Sequence, residues 1–193
     1  MKQSTYCLIS PIDEYDQIYP LLYSIEEMLR NHNIPHSLPK LNWHITHVTP
    51  FLATAFEMEW LALGLEIGKV LSPPEHNKRL IKGIDFQYYE NEEEDALVLR
   101  LETNEAFRSA ISRARAVVQK ITEMRYTPES FQANFHVTIA QGKGLRKSIE
   151  QHAILHGFLM GTILRKLESP ITTLLQYPSI FLKENGYWVP VVS

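Results

Sequence analysis

Two short stretches, far apart in the sequence, each carry a histidine, a β-branched residue and a threonine. The first is His44-Ile45-Thr46 and the second is His136-Val137-Thr138. In a β-strand successive side chains point to opposite faces, so the histidine and threonine of each triplet share one face. Each triplet therefore predicts a strand with one chemical face and one core face.

The two triplets suit proton-transfer chemistry if the fold brings their strands side by side. Imidazole has an unperturbed pKa of about 6.5, so at neutral pH one ring can act as a base while the other acts as an acid. The hydroxyls of Thr46 and Thr138 suit the oxygen atoms of a phosphate held between them. The pattern predicts a cleft for a displacement reaction that needs proton transfer at both ends.

The first stretch also contains a second triplet, His47-Val48-Thr49. Strand parity favours His44, because the apolar residues Trp43 and Ile45 fall on odd positions and belong to the core face. On the same parity His47 shares the face of Ile45, where a hydrogen-bonded structural histidine is expected. Residues three apart on a strand face opposite ways, which argues against a metal site built from both His44 and His47.

Composition limits the class of protein and of partner. A chain of 193 residues is long enough for one well-buried domain, here taken as residues 1–193. The formal net charge of −3 lacks the basic excess expected of a protein that grips long nucleic acid. Any nucleic-acid ligand, whether a nucleotide or a short RNA, is therefore expected to be short, with no binding of long duplexes; we also expect no cofactor or metal, and a monomer.

The N-terminal and cysteine patterns predict a cytoplasmic protein. Cys7 is the only cysteine, so neither an intrachain disulfide nor a multi-cysteine zinc site is expected. The apolar run near the N-terminus is too short for a signal peptide, and no stretch approaches the length of a membrane span.

Hydrophobic periodicity predicts the element order β-α-β-α-β-β-α-β-α-β-β. A motif strand, a helix and a hairpin occur twice, over 43–102 and 135–192, although no sequence identity marks the repeat. The late segments read as one helix from Leu145 to Ile163 and one strand over Ile171–Lys183. The layout indicates an α+β protein with two pseudo-symmetric lobes of antiparallel sheet, backed by helices, around a central cleft.

Other features have structural explanations. Ala55–Leu71 is apolar on several sides, as in a buried helix, and the acidic run Glu90–Asp95 reads as a solvated turn. Gly142-Lys143-Gly144 is expected to be a strand-to-helix turn, although its backbone and lysine could also meet a phosphate. A further group of basic residues lies mostly off the apolar stripe of the third helix, as expected of a solvated face: Arg108, Arg113, Arg115 and Lys120.

The sequence resembles the two-histidine phosphoesterase superfamily, and within it the 2'-5' RNA ligase-like and RNA 2',3'-cyclic phosphodiesterase proteins. The match lies in His44-Ile45-Thr46 followed by Pro50-Phe51, in His136-Val137-Thr138-Ile139, and in the tail from Thr172 to Val189. One departure is His47, at a position that is usually apolar in this family. The resemblance covers nearly the full length, because the predicted element order also agrees.

The resemblance implies a bilobal fold with both triplets facing a central cleft. It implies metal-independent hydrolysis or transfer at 2',3'-cyclic or 2'-5' phosphodiester bonds, with His44 and His136 as the acid–base pair and Thr46 and Thr138 as phosphate-binding residues. An alternative is a non-catalytic module that binds nucleotides or RNA ends in the same cleft. Such a module would stack bases on aromatic residues, for which the candidates are Tyr88, Tyr89 and Phe51.

Overall fold

Eight antiparallel strands form one sheet in the computed structural model, which describes residues 3–12, 14–39, 43–71, 80–90, 94–123, 135–168, 172–174, 179–185 and 187–191. The predicted acidic turn (91–93), the end of the second helix (72–74) and Gly186 lie outside the described residues. The strands are β1 Ser4–Pro11, β2 His44–Ala53, β3 Leu80–Glu90, β4 Asp95–Thr103, β5 His136–Gly142, β6 Thr172–Leu174, β7 Ser179–Glu184 and β8 Tyr187–Pro190.

The strand order across the sheet is β6-β3-β4-β5-β2-β1-β7-β8, so the two motif strands β5 and β2 are neighbours at its centre. Every strand pair is antiparallel. Together with the helices this confirms the predicted α+β class. The sheet is continuous across β5 and β2, and the two-lobed arrangement stays a prediction.

Five helices pack against this sheet and bury its apolar side chains. They are α1 Tyr19–Asn31, α2 Ala55–Leu71, α3 Glu105–Ile121, α4 Leu145–Gln151 and α5 Ala153–Glu168. Asn104 caps the start of α3, because its side chain accepts a 2.9 Å hydrogen bond from the amide of Phe107. None of the helices that the structure describes is long and apolar enough to cross a membrane.

Two clusters of buried side chains form the core. The larger one joins α1, α3, α4 and α5 to the central strands and includes Ile45 and Val137. The smaller one lies between α2, α3 and the strands β1, β2 and β7, and includes Leu61 and Val118. Among the described residues of the two triplets, Ile45 and Val137 belong to the core, whereas the histidines and threonines lie on the other face of β2 and β5.

Two predicted elements are each divided in the structure. The single helix predicted over 145–163 is wrong, because His152 adopts an extended conformation (φ −98°, ψ 90°) that ends α4 before α5 begins. The single strand predicted over 171–183 is also wrong. Its first part, β6, pairs with β3, whereas its second part, β7, pairs with β1 near the opposite edge.

The division of that strand indicates that the sheet is strongly curved. Leu174 ends β6 and Ser179 begins β7 five positions later, so their Cα atoms are at most about 18 Å apart. In a flat sheet these two strands, six inter-strand spacings apart, would be separated by roughly 29 Å. The two edges of the sheet must therefore bend towards each other.

The second helix is less buried than predicted. Met58 and Leu61 of α2 pack into the smaller cluster, but Phe56, Trp60 and Leu63 each expose about half or more of their surface. In the part of α2 whose side chains the structure describes, residues 55–64, one stripe meets the core, so an apolar composition on several sides did not indicate complete burial there.

Candidate active site

The two motif strands β2 and β5 pair at the centre of the sheet, and their register is defined by one residue pair and one side-chain hydrogen bond. Ile45 of β2 lies directly opposite Val137 of β5, and both side chains are fully buried in the larger core cluster. The indole Nε1 of Trp43 donates a 3.1 Å hydrogen bond to the carbonyl oxygen of Ile139, which ties the two strands together in the same register. This register determines which side chains of the triplets meet on the other face.

The four predicted site residues are neighbours on that face. With Ile45 opposite Val137, His44 lies across from Thr138 and Thr46 lies across from His136. The two histidines are therefore diagonal neighbours, for which the separation in an antiparallel pair is roughly 7–8 Å. All four side chains are half-buried. The structure thus brings together two imidazoles and two hydroxyls in a local two-fold arrangement.

A cleft of about 280 Å³ opens beside these residues. His44, Thr46 and Thr138 line this cleft, and His136 lies on the same face of β5 two residues before Thr138. Its volume is near the lower end of the range of about 300–1,000 Å³ that is typical of small-molecule sites. The remaining walls come from Cys7, Ile9, Pro39, Pro50, Gln141 and Trp188.

His136 is surrounded by polar and charged side chains. The ring of Tyr89 packs edge-on against the imidazole, with 4.9 Å between ring centroids. Arg100 of β4 lies directly opposite His136 in the ladder, and its Nε donates a 2.7 Å hydrogen bond to Asp85 Oδ1. Burial raises the pKa of Tyr89, with Arg100 lowering it and Asp85 raising it further, so its hydroxyl stays protonated at neutral pH.

The second triplet has a different environment. His47 is 2% exposed, its Nε2 lies 2.7 Å from Ser10 Oγ, and its ring packs at 5.3 Å from that of Phe107. Its carbonyl oxygen accepts a 2.9 Å hydrogen bond from Nε of Arg115, and Thr49 is exposed. His47 is therefore a buried histidine held by hydrogen bonds, on the core side of β2.

A β-bulge explains why burial continues past His47. The β1–β2 register shifts between Leu8 opposite Val48 and Ile9 opposite Thr46, so one extra residue of β2 is inserted there. His47 and Val48 are consequently both buried although they are consecutive. The bulge ends the regular alternation immediately after the first triplet.

The prediction that the basic residues of α3 form a solvated face is wrong for Arg115. Arg108, Arg113 and Lys120 are exposed as predicted, but Arg115 is buried. Its guanidinium is turned inward because it supplies a hydrogen bond to the bulged part of β2.

Among the three aromatic residues considered for base stacking, Tyr89 is the one that contacts a predicted site residue. Phe51 is buried in the smaller core cluster. Tyr88 packs against the larger cluster, with the guanidinium of Arg146 5.5 Å from its ring centroid.

The glycine segment after β5 forms a turn, as predicted. Gly144 has a φ of 69°, a left-handed conformation that favours glycine. A Cβ atom at Gly142 would lie 3.0 Å from the carbonyl oxygen of Pro35, so this position requires a close backbone approach. Both glycines are explained by the turn and its packing.

In the part of the chain that the structure describes, no group of three or more histidine, cysteine, aspartate or glutamate side chains is placed to hold a metal ion. His44 lines the cleft, whereas His47 contacts the core on the other side of β2. The two histidines therefore do not converge on one point.

Asp85 and Arg100 were not predicted as site residues, and Trp188 was predicted only as part of the tail. A signal was available for Arg100, because it follows three apolar residues within a strand, where a charge needs a partner. Its placement beside His136 depends on the β4–β5 register, which no local pattern specifies.

No family model matches the chain, and no curated protein matches it. The chain is similar to two solved structures of Usb1 from Kluyveromyces marxianus. One, with uridine monophosphate, is 15% identical in sequence and has a TM-score of 0.48. The alignment covers 97% of this chain and 97% of the Usb1 chain. The other is 13% identical and has a TM-score of 0.47, and its alignment covers 97% of this chain and 96% of the Usb1 chain.

Proposed function

We propose that this protein is a metal-independent phosphodiesterase that acts on 2',3'-cyclic phosphate ends or on 2'-5' linked oligonucleotides. His44 and His136 form the acid–base pair, and Thr46 and Thr138 bind the phosphate. The observation that carries the proposal is the register of β2 and β5, which puts two histidines on one diagonal and two threonines on the other.

The diagonal spacing fits a reaction at one phosphorus atom. Cross-strand diagonal neighbours lie roughly 7–8 Å apart, with Cβ atoms somewhat closer, so a group bound between the rings can meet an imidazole nitrogen on each side. General acids and bases act within about 2.6–3.2 Å of the proton they transfer. The spacing therefore leaves room for one phosphate group with a hydrogen bond at each end.

With a cyclic phosphate, one histidine removes a proton from water as the water oxygen forms its bond to phosphorus. The bond from phosphorus to one ribose oxygen breaks, and the second histidine donates a proton to that oxygen. Each proton transfer contributes about 10²–10⁴-fold in rate. Atoms balance, because the product is a phosphomonoester and a free ribose hydroxyl.

The threonine hydroxyls act on the non-bridging oxygens. Negative charge grows on these oxygens as the water attacks, and fixed donors in a half-buried site stabilise it. With a 2'-5' linked oligonucleotide, the same base would instead activate the neighbouring 3'-hydroxyl, leaving a cyclic phosphate and a free 5'-hydroxyl.

A substrate panel tests the proposal. Purified protein is incubated with 2',3'-cyclic nucleotides, 2'-5' dinucleotides and 3'-5' dinucleotides, with and without EDTA, and the product isomers are identified. We expect turnover of at least one of the first two classes, unchanged by EDTA, with a bell-shaped pH dependence. Loss of activity in EDTA with rescue by a divalent ion would refute the metal-free mechanism. Binding without turnover would favour the non-catalytic module.

A further inference from the structure

One arginine on the cleft face has no role in the proposed proton transfers. Arg100 is the direct ladder partner of His136, so the two side chains lie on the same face of the sheet. Cβ atoms of such partners are roughly 4.5–5.5 Å apart. The Arg100 side chain is 29% exposed, so its guanidinium is partly accessible to a ligand beside His136.

Asp85 orients this guanidinium without enclosing it. The 2.7 Å bond to Asp85 Oδ1 uses Nε, and the two Nη groups donate no hydrogen bond to the residues that the structure describes. An arginine with free Nη donors held in a fixed plane is suited to binding a phosphate group. The protonated hydroxyl of Tyr89 adds a neutral donor on the same side of His136.

The opposite side of the cleft has a different character. Its walls next to His44 include Ile9, Pro39 and Trp188, which offer apolar surface and one aromatic ring but no charge. A nucleobase suits this apolar side, and a charged phosphate suits the side of Arg100. The cleft therefore has a direction along which a nucleotide chain can lie.

We propose that Arg100, oriented by Asp85, binds the phosphate of the nucleotide next to the scissile group. The substrate is then the end of an RNA chain, because a cyclic mononucleotide has no second phosphate to meet this arginine. This inference rests on the proposed function and makes Arg100 a specificity-determining residue of the same site.

Two substrates that differ by one nucleotide, and therefore by one internucleotide phosphate, test the inference. They are a 2',3'-cyclic mononucleotide and a dinucleotide ending in the same 2',3'-cyclic nucleotide. In the Arg100→Ala variant we expect kcat/KM for the dinucleotide to fall about tenfold, mainly through KM, because a charge-assisted hydrogen bond is lost. Activity on the mononucleotide should change less than twofold. Arg100→Lys should recover part of the loss, since the charge remains.

Salt dependence separates phosphate binding from a structural role. Each phosphate contact on a single strand contributes about 0.7 to the slope of log affinity against log salt. Arg100→Ala should lower the slope measured for the dinucleotide by about this amount. Arg108→Ala serves as the matched control, because Arg108 is an exposed arginine of α3 that is paired with Glu105; its slope should equal that of the unaltered protein.

The outcomes distinguish this inference from the proposed function. If Arg100→Ala weakens both substrates equally, Arg100 does not read a second phosphate, while the proposed function stands. If the unaltered protein turns over neither of these substrates and no 2'-5' dinucleotide either, the proposed function fails. In that case fluorescence anisotropy with a labelled oligonucleotide still decides the role of Arg100, because an unchanged salt slope in Arg100→Ala would overturn it.

Discussion

The two motif strands carry the same triplet chemistry but differ in what surrounds it. On β2 the triplet is followed by a bulge, a buried His47 and the buried guanidinium of Arg115. On β5 the histidine itself is flanked by Tyr89 and Arg100 on the cleft face. The first triplet is thus supported from the core side, and the second has Arg100 as a charged neighbour on the cleft side.

Under the proposed function, this difference would let a symmetric reactive group bind an asymmetric substrate. The local two-fold pattern of histidines and threonines suits displacement at phosphorus, in which entering and leaving oxygens are equivalent in kind. A nucleotide has no such symmetry, because base and phosphate lie on different sides of the sugar. The apolar side near Trp188 and the charged side near Arg100 supply the two environments.

The largest expected effect comes from removing either histidine of the diagonal. His44→Ala and His136→Ala should each reduce kcat by about 10²–10⁴-fold, since each removes one proton transfer. The double variant should be little slower than the worse single variant, because the two groups act as a unit. Steady-state kinetics on the substrate found in the panel measures all three.

The matched control for this comparison is His152→Ala. His152 is an exposed histidine between α4 and α5, outside the cleft lining. Its variant should keep full activity and a folded circular dichroism spectrum. Full turnover by His44→Ala or His136→Ala would remove that histidine from the mechanism.

The core side of β2 gives the next effect, on stability rather than rate. His47→Ala should lower the free energy of unfolding by about 2–3 kcal/mol, because Ser10 loses its partner and a cavity opens beside Phe107. His44→Ala, on the cleft side of the same strand, should change it by less than about 1 kcal/mol. Urea denaturation of both variants measures the difference. Equal destabilisation would contradict the separation of the two faces.

The threonine diagonal should contribute less than the histidines. Thr46→Val and Thr138→Val keep the strand-forming shape but remove a hydroxyl, and each should lower kcat about tenfold to hundredfold with a smaller change in KM. Thr49→Val is the control on the same strand, since Thr49 is exposed and is not among the residues that line the cleft. A similar loss in Thr49→Val would place the phosphate near the bulge instead.

Strand parity was sufficient to predict which face of β2 each side chain of the first triplet takes. Alternation of apolar and polar residues placed His44 and Thr46 opposite to Ile45, and Ile45 is fully buried. Parity failed at Val48, which the bulge buries together with its neighbour His47. A bulge depends on pairing with β1, and a single strand's sequence does not encode its partner's register.

Local sequence patterns could not predict the charged side of the cleft. In β4 the residues from Leu97 to Leu99 are all buried, so alternation does not indicate which face Arg100 takes. The β4–β5 register, which shifts between Leu97 and Val98, determines its position beside His136. For the same reason the run 171–183 looked like one strand, although its two parts pair at different places in the sheet.

The smallest expected effect concerns Cys7, on the apolar side of the cleft. The thiol is 2% exposed, and burial raises its pKa from 9.0 to about 12. At pH 8 the native protein then holds about a thousandfold less thiolate than an ordinary cysteine, so iodoacetamide should modify it very slowly and leave activity unchanged.

The raised pKa of Cys7 also determines the direction in which stability changes with pH. Because the folded protein holds this proton more tightly than the unfolded chain, the raised pKa has no effect on stability below about pH 9 and lowers stability as the pH rises from there towards about 12. Denaturation of Cys7→Ala across this range should show a weaker decline than that of the unaltered protein. Rapid alkylation at pH 8 would mean that water reaches the thiol. The apolar side of the cleft would then not exclude solvent, and this difference from the charged side would be lost.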